Sequence, residues 1–464
     1  MTLNRSIDAS LQEWGDSPCI LECDSRGSCV PVSAPELRRR IQERTKQFAQ
    51  WGIQKGFMVP VFLGNSVDFI DSIFALMNLG AVPVMVKLDF RKLELIEIFR
   101  NCKPQAVISE KNHLPILKPF LGDVLVIERT SQGLRLVQSQ GNQRRPAGVP
   151  DHIATVNYTY RGYGYPLGAL VPHRQYLHGA ETLQSGLQGN PGEKMLVTIP
   201  MSHIFTLVGC IAVPVLHKIT AVITQTIHPR ILFRLIRDHQ IEYLTSIPHI
   251  YLLLLRLKEE SSNFGSLRAF VSGGTVLTAE EYQKLSAGFN AEVLHGYGLT
   301  ECTPVSRNVR GQARGGTIGP ICDKIDCRIG ESSEAGLGEI LIKTPYMTKE
   351  YLEREGETRE AFQGEWFKTG DRGYFESDHL VFSEEMKNTR KINGNMVDLE
   401  EVRKAILLDD QVARVDIKYQ DNSLLARCRV SRKVEPLDKA RELRIYLREL
   451  LAAYKIPRVL VETS

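Results

Sequence analysis

Between Phe57 and Ser109 short apolar runs alternate with helical segments, and that alternation restricts the chain to one class of fold. Phe57 to Leu63, Ala81 to Val86 and Gln105 to Ser109 read as buried strands. An apolar helix from Ser66 to Leu79 separates the first two and is closed by Gly80, a residue suited to the left-handed turn that ends a helix. A second helix fills the gap before Gln105. Neighbouring strands that run the same way need a crossover between them, and a helix is the usual one. The pattern therefore predicts a parallel, doubly wound sheet. Asp123 to Glu128 adds another strand to this unit.

The alternation recurs downstream. Met195 to Ile199, Ala221 to Thr224, Glu242 to Ser246 and Leu267 to Val271 read as strands, with helices at Arg230–Asp238 and 249–260. The flanks differ. Residues 18–31 read as a hairpin turning at Asp24-Ser25-Arg26-Gly27. Ser33 to Glu36 is a capping box opening a helix with Leu37, Ile41, Phe48 and Trp51 on one side. Arg129 to Asp151 is polar and predicts a long surface connection. From Gly319 to Val381 short strands and Gly-rich turns predict a small β-subdomain. Beyond Asn388, helices at Leu399–Leu408 and Leu437–Tyr454 with strands near 413–419 and 424–431 predict a compact α+β unit. The expected fold class is α/β. A large N-terminal domain, residues 1–385, holds two doubly wound α/β subdomains and the small β-subdomain; a small, shortened α+β C-terminal domain follows at 386–464.

A chain of 464 residues can bury more than one core, and 43% hydrophobic with 24% charged residues is ordinary for a soluble globular protein. The net charge of +4, with both signs interspersed, gives no footprint for nucleic acid or an anionic membrane surface. The most apolar stretch, Phe205 to Leu216, is too short to span a bilayer. The N-terminus lacks the apolar core of a signal peptide, so the expected location is cytoplasmic. Cys19, Cys23 and Cys29 cluster without a zinc-ligand spacing or a nearby His, and read as structural thiols.

The chemistry is concentrated in His295-Gly296-Tyr297-Gly298-Leu299-Thr300-Glu301, which follows the apolar run Ala291–Leu294 as a sharp strand-to-loop turn. It offers an aromatic face for a base, a hydroxyl for a phosphate and a carboxylate for Mg²⁺. An ordinary β-turn with a satisfied Thr and a solvated Glu would contain the same residues. Three further strings accompany it in order: Ser272-Gly273-Gly274, Lys368-Thr369-Gly370-Asp371 and Lys391-Ile392-Asn393-Gly394. Together they resemble the adenylate-forming superfamily, which contains acyl-CoA and aryl-CoA ligases, peptide-synthetase adenylation domains and luciferases. The resemblance runs from about Ser17 to the C-terminus.

The resemblance implies a two-step reaction using ATP and Mg²⁺: a carboxylate forms an acyl-AMP, then a thiol of CoA or of a carrier-protein phosphopantetheine displaces AMP. It implies that Asp371 accepts from the ribose hydroxyls, that Tyr297 stacks on adenine, and that Gly273, Gly274 and Thr275 edge the adenine slot beside Gly296 and Gly298. Thr300 would bond the α-phosphate, Glu301 would hold Mg²⁺, and Lys391 with Gly394 would enter for the thioester step. His203 would gate the carboxylate, although a satisfied core His fits the same position. Ile204, Phe205 and Thr206 follow it without the Asp that pairs an α-amine, so an aryl or fatty acid is expected rather than an amino acid.

The chain also departs from the family. The phosphate loop should lie at 157–169, where Thr159, Gly164, Pro166 and Gly168 fit but Tyr160, Arg161, Tyr163 and Leu167 do not. Leu167 stands in place of the loop Lys, Glu385 in place of a hinge Arg, and Asn388 in place of a hinge Asp. Lys455 belongs to a Tyr-Lys-Ile-Pro pattern that precedes the family's adenylation Lys, and the sequence contains no such later Lys. These departures leave two other readings open: a member that runs only the thioester half-reaction, and a non-catalytic nucleotide- or acyl-binding protein.

Overall fold

Strand Met58–Phe62 runs parallel to Val82–Met85 on one side and to Ala106–Glu110 on the other. Helices Val67–Asn78 and Lys92–Cys102 make the crossovers. Ser66 starts the first of these, its side chain accepting from the Phe69 amide at 3.2 Å. Leu125–Thr130 and Ile153–Thr159 join in parallel, and antiparallel strands Gly133–Gln138 and Leu167–Pro172 finish a seven-stranded sheet. This computed structural model describes all residues except 140–147, 259–263, 332–335, 387, 393, 421, 431–434 and 464.

A second sheet has eight strands. Lys194–Val197, Thr220–Thr224, Tyr243–Ser246, Ala269–Ser272 and Glu292–Tyr297 form its parallel centre. The N-terminal hairpin, Pro18–Cys23 with Cys29–Ser33, is closed by Asp24, whose carboxylate accepts from the amides of Arg26 and Ser28 at 2.8 and 2.9 Å. It extends this sheet by pairing in parallel with Thr220–Thr224. Cys23 and Cys29 face each other across it and form a disulfide. Ser33 caps helix Ala34–Gln50 as its spacing predicts.

A five-stranded sheet follows, made of Asp326–Ile329, Gly338–Lys343, Phe362–Gln363, Trp366–Glu376 and His379–Glu385. After Glu385 come the ribbon Thr389–Ile392 with Asn395–Asp398 and the helix Leu399–Ile406. A three-stranded sheet, Val412–Gln420, Ser423–Val430 and Arg458–Thr463, then carries helix Pro436–Leu450. This C-terminal unit has a core of its own, including Val402, Ile406, Leu424, Leu443 and Leu447.

Two expectations are corrected, and one helix was not foreseen. Residues 129–151 are not all connection: Gly133–Gln138 pairs antiparallel with Leu125–Thr130. Leu134 is buried while Arg135 is exposed, the alternation of a half-buried edge strand. Residues 140–147 of that stretch lie outside the described residues. The last helix stops at Leu450 rather than Tyr454, and the chain returns as Arg458–Thr463, parallel to Ser423–Val430. Helix Leu3–Glu13, absent from the sequence reading, buries Leu3, Ile7 and Leu11 at helical spacing.

Candidate active site

Parallel strands of an open α/β sheet end on one side, and the loops leaving their carboxyl ends form a crevice there. Lys194–Val197 leads to Ser202 and His203, Ala269–Ser272 to Gly273, Gly274 and Thr275, and Glu292–Tyr297 to Gly298, Thr300 and Glu301. The central string therefore turns later than expected. His295, Gly296 and Tyr297 are still strand, and the turn is made by reciprocal backbone bonds between Leu299 and Cys302. Gly296 needs to lack a side chain, since a Cβ there would meet the Ser306 carbonyl at 2.9 Å. Gly274 sits at φ +83°, where other residues are strained.

The crevice holds two cavities with shared walls. The first, of about 150 Å³, is lined by Thr159, His203, Gly273, Gly298 and Thr300 together with Lys391 and Gly394 from the C-terminal unit. Part of its wall is apolar, with Leu183, Leu187, Met195, Val213, Val271 and Leu294. The second, of about 320 Å³, has Thr275, Phe382, Glu385 and Tyr419 in its wall. Gly274, Gly296, Tyr297, Gly298 and Lys391 border both.

Tyr297 joins this crevice to the five-stranded sheet. Its hydroxyl donates to Asp371 Oδ2 at 2.6 Å, and its ring lies 6.3 Å from that of Phe382. Asp371 is buried in strand Trp366–Glu376 and lines neither cavity itself. His203 caps a short helical turn, its Nδ1 accepting from the Phe205 amide at 3.3 Å. Burial, and then the charges of Lys87 and Lys391, push its pKa down to about 3, so the ring is neutral. Lys87, from the loop after Val82–Met85, reaches the small unit through Asn395 at 3.3 Å. Gly394 sits at φ +77°, and a Cβ there would stand 3.1 Å from Ile247 Cγ2.

Glu301 is 2% exposed and is engaged on its own side of the wall. Tyr351 donates to its carboxylate, and Arg161 Nη1 stands 3.6 Å away. The Arg161 guanidinium also donates to the Lys368 carbonyl at 2.7 Å and stacks over Phe367. Neither Arg161 nor Glu301 lines either cavity. Among the described residues no group of three His, Cys, Asp or Glu side chains could hold a metal ion. The residues around Glu301 do not fit a resident Mg²⁺, because an internal cation, Arg161, already meets this carboxylate.

The stretch aligned with a phosphate loop is a β-hairpin. Thr159 ends one strand and pairs with Leu167, the first residue of the next, which is fully buried. Leu167 is thus core, and the turn proper is 160–166. Its tyrosines are all tethered: Tyr163 donates to Glu360 and Tyr165 to Glu357, both at 2.7 Å, and Tyr160 reaches the C-terminal unit. Glu94 and Glu401 were not foreseen from the sequence, nor was the full burial of Lys455 between them. A Lys flanked by Ala453, Tyr454, Ile456 and Pro457 was the available signal.

Paired doubly wound sheets that open on a shared crevice, closed by a small α+β unit, define an α/β enzyme of the adenylate-forming fold. An amide bond synthetase from Marinactinospora thermotolerans has this fold, with a TM-score of 0.84 at 19% identity over 100% of this chain and 96% of that one. The chain belongs to the AMP-binding enzyme family, whose model matches residues 7–352. A long-chain-fatty-acid–CoA ligase of Bacillus subtilis is 24% identical over 461 residues, spanning 88% of this chain and 82% of that protein. A 2-succinylbenzoate–CoA ligase of Bacillus licheniformis is 25% identical over 446 residues, spanning 91% and 89%. Among the described residues no helix is long and apolar enough to cross a membrane.

Proposed function

We propose that this protein is an acid–thiol ligase. It activates a carboxylic acid lacking an α-amine as the acyl adenylate, then passes the acyl group to the thiol of CoA or of a carrier-bound phosphopantetheine. One observation carries the reading: among the described residues, the wall of the first cavity contains two lysines, Lys87 and Lys391, and no Asp or Glu. Such a wall suits an anion with an apolar tail. It gives an ammonium group no counter-ion, and burying an unpaired charge is costly. The relatives named above, CoA ligases for a fatty acid and an aryl acid, support the same class.

In the first step a carboxylate oxygen attacks the α-phosphorus of ATP, and the P–O bond to pyrophosphate breaks. In the second a thiolate sulfur attacks the acyl carbon, the C–O bond to AMP breaks, and AMP leaves. Both steps are dominated by positioning and by the placement of charge. In this reading the acyl tail lies in the apolar wall and neutral His203 borders the carboxyl carbon. Thr300 and Thr159 bond the phosphate, and Tyr297 presents its ring to adenine. Asp371 holds the Tyr297 ring in place through its hydroxyl. Residues 386–464 act as the small domain that brings Lys391 and Gly394 to the mouth, where a hydrogen in place of a side chain admits a pantetheine arm.

The test is calorimetric titration with non-hydrolysable acyl-adenylate analogues. Analogues with aryl or alkyl tails are expected to bind at one site, and an α-aminoacyl analogue at least about tenfold more weakly, the smallest cost of leaving an ammonium unpaired. Equal binding of both classes would remove the proposal.

A further inference from the structure

Two lysines lie where the C-terminal unit meets the first sheet unit, and they differ in what they meet. Lys455 is fully buried and pairs with two carboxylates, Glu401 at 2.5 Å and Glu94 at 2.9 Å. Lys87 is half-buried and has no carboxylate at ion-pair distance among the described residues. Its Nζ donates to Asn395 Oδ1 at 3.3 Å, and the rings of Phe90 and Tyr454 each stand 5.9 Å from it. The charged groups around it are Asp89 on its own loop, Glu94 on helix Lys92–Cys102 and Lys455. It shares the wall of the first cavity with Lys391 and with His203, which feels its charge.

The position of Lys87 bears on the second step. Asn395 follows Gly394, so its hydrogen bond holds Nζ beside the turn where the thiol enters in the reading above. His203, at the acyl carbon in that reading, lines the same cavity. Met85, Phe90 and Met396 add apolar surface to the wall. Burial, the largest effect, pulls the Lys87 pKa below its ordinary value; Asp89 opposes this, Lys455 adds to it and Glu94 opposes it. An ordinary lysine, titrating near ~10.4, is almost wholly protonated at neutral pH and has no lone pair to offer, whereas one brought toward the thiol range of ~8.5 does. The neutral ring of His203, pushed down to about 3, is too weak a base to take a proton from a thiol.

We propose that Lys87 is the general base of the thioester step, its Nζ as free amine taking the S–H proton of the incoming thiol. The sulfur electron pair forms the bond to the acyl carbon, the C–O bond to AMP breaks, and AMP leaves with that electron pair. Lys87 keeps the proton as an ammonium until the thioester departs, then gives it to water. The step needs no other co-reactant. This rests on the proposed acid–thiol reading for the identity of the nucleophile.

The test is single-turnover transfer of a preformed aryl or alkyl adenylate to CoA by the full chain, read as thioester across a range of pH. Lys87→Arg keeps the positive charge but stays protonated throughout. Lys87→Arg and Lys87→Ala are both expected to lose about 100-fold at about pH 7. Their rates should then climb about tenfold per pH unit toward ~8.5, where the thiol ionises unaided, while the wild type levels off at lower pH. Recovery at high pH also shows that the variants are folded. Methylamine added to Lys87→Ala is expected to restore thioester formation by at least about tenfold. In the wild type, the ¹³Cε signal of Lys87, assigned by its loss in Lys87→Arg, should titrate below ~10.4. Lys87→Arg that transfers as fast as wild type overturns the proposal, because charge alone then suffices, and so does a Lys87 signal titrating at or above ~10.4. Either result, with thioester formed by the wild type, leaves the acid–thiol reading standing. A wild type that forms no thioester with CoA or pantetheine removes that reading and the proposal with it.

Discussion

The Tyr297 hydroxyl donates to Asp371 across 2.6 Å, with both side chains buried. The bond ties the end of a parallel strand to the five-stranded antiparallel sheet and fixes the plane of the ring. Burial, then the neighbouring Asp371 charge, raises the phenol pKa well above its ordinary value, so the hydroxyl remains a donor. Tyr297→Phe leaves Asp371 buried with one donor fewer. The expected loss is about 1.5–3 kcal/mol in urea denaturation, with weaker AMP binding. An unchanged midpoint together with unchanged AMP affinity would contradict this role.

Arg161 and Glu301 are a buried pair, 7% and 3% exposed at the side chain. Removing one partner strands the other charge. Arg161→Gln should therefore destabilise the chain by about 3–5 kcal/mol, while Arg161→Gln combined with Glu301→Gln should recover much of that loss. A double-mutant cycle by chemical denaturation reads the coupling, and additive single effects would show that the pair does not interact.

Gly394 combines φ +77° with a neighbour, Ile247 Cγ2, only 3.1 Å from where a Cβ would stand. Gly394→Ala should cost about 1–2 kcal/mol locally through the left-handed backbone alone. Its main effect should fall on the thioester step. Single-turnover transfer to CoA should drop about tenfold or more, with acyl-adenylate formation much less affected. Equal losses in both half-reactions would argue against placing this turn at the thiol's entry.

His295 is 3% exposed, with its Nδ1 3.0 Å from the Ser272 hydroxyl oxygen. Burial, and then Lys391, lowers its pKa to about 4. Below pH 6.5 the unfolded chain takes up a proton on this ring that the folded chain refuses. Stability from this group is therefore complete above about 6.5 and is lost as pH falls toward 4. His295→Asn should flatten the pH dependence of unfolding free energy in that window by up to about 1.4 kcal/mol per pH unit. Parallel pH curves for wild type and variant would exclude the effect.

The crossovers of both sheets were legible because each needs only a short apolar run, a helix and a cap, and Ser33 caps as its spacing predicts. The hairpin turn at Asp24 was legible for the same local reason. That this hairpin joins Thr220–Thr224 was not, since such a pairing depends on a distant strand. Tyr297, Thr300 and Asp371 were each named from motif strings, but the hydrogen bond between Tyr297 and Asp371 is tertiary. Leu167 was misread because a loop lysine was expected at that position, although Leu167, Ala169 and Val171 alternate as a strand does. Lys455 was named in its Tyr-Lys-Ile-Pro pattern, but its burial escaped because lysines are ordinarily exposed, and only the meeting of Glu94, Glu401 and Tyr160 makes that burial tolerable.

The most direct measurement of the central claim is product stoichiometry. The full chain is incubated with ATP, Mg²⁺, CoA and a panel of aryl, alkyl and α-amino acids, and AMP and thioester are quantified together. The account predicts that an aryl or alkyl acid gives AMP and acyl-CoA in equal amounts while α-amino acids give neither. Absence of acid-dependent AMP across the whole panel, or AMP formed with α-amino acids, would contradict it.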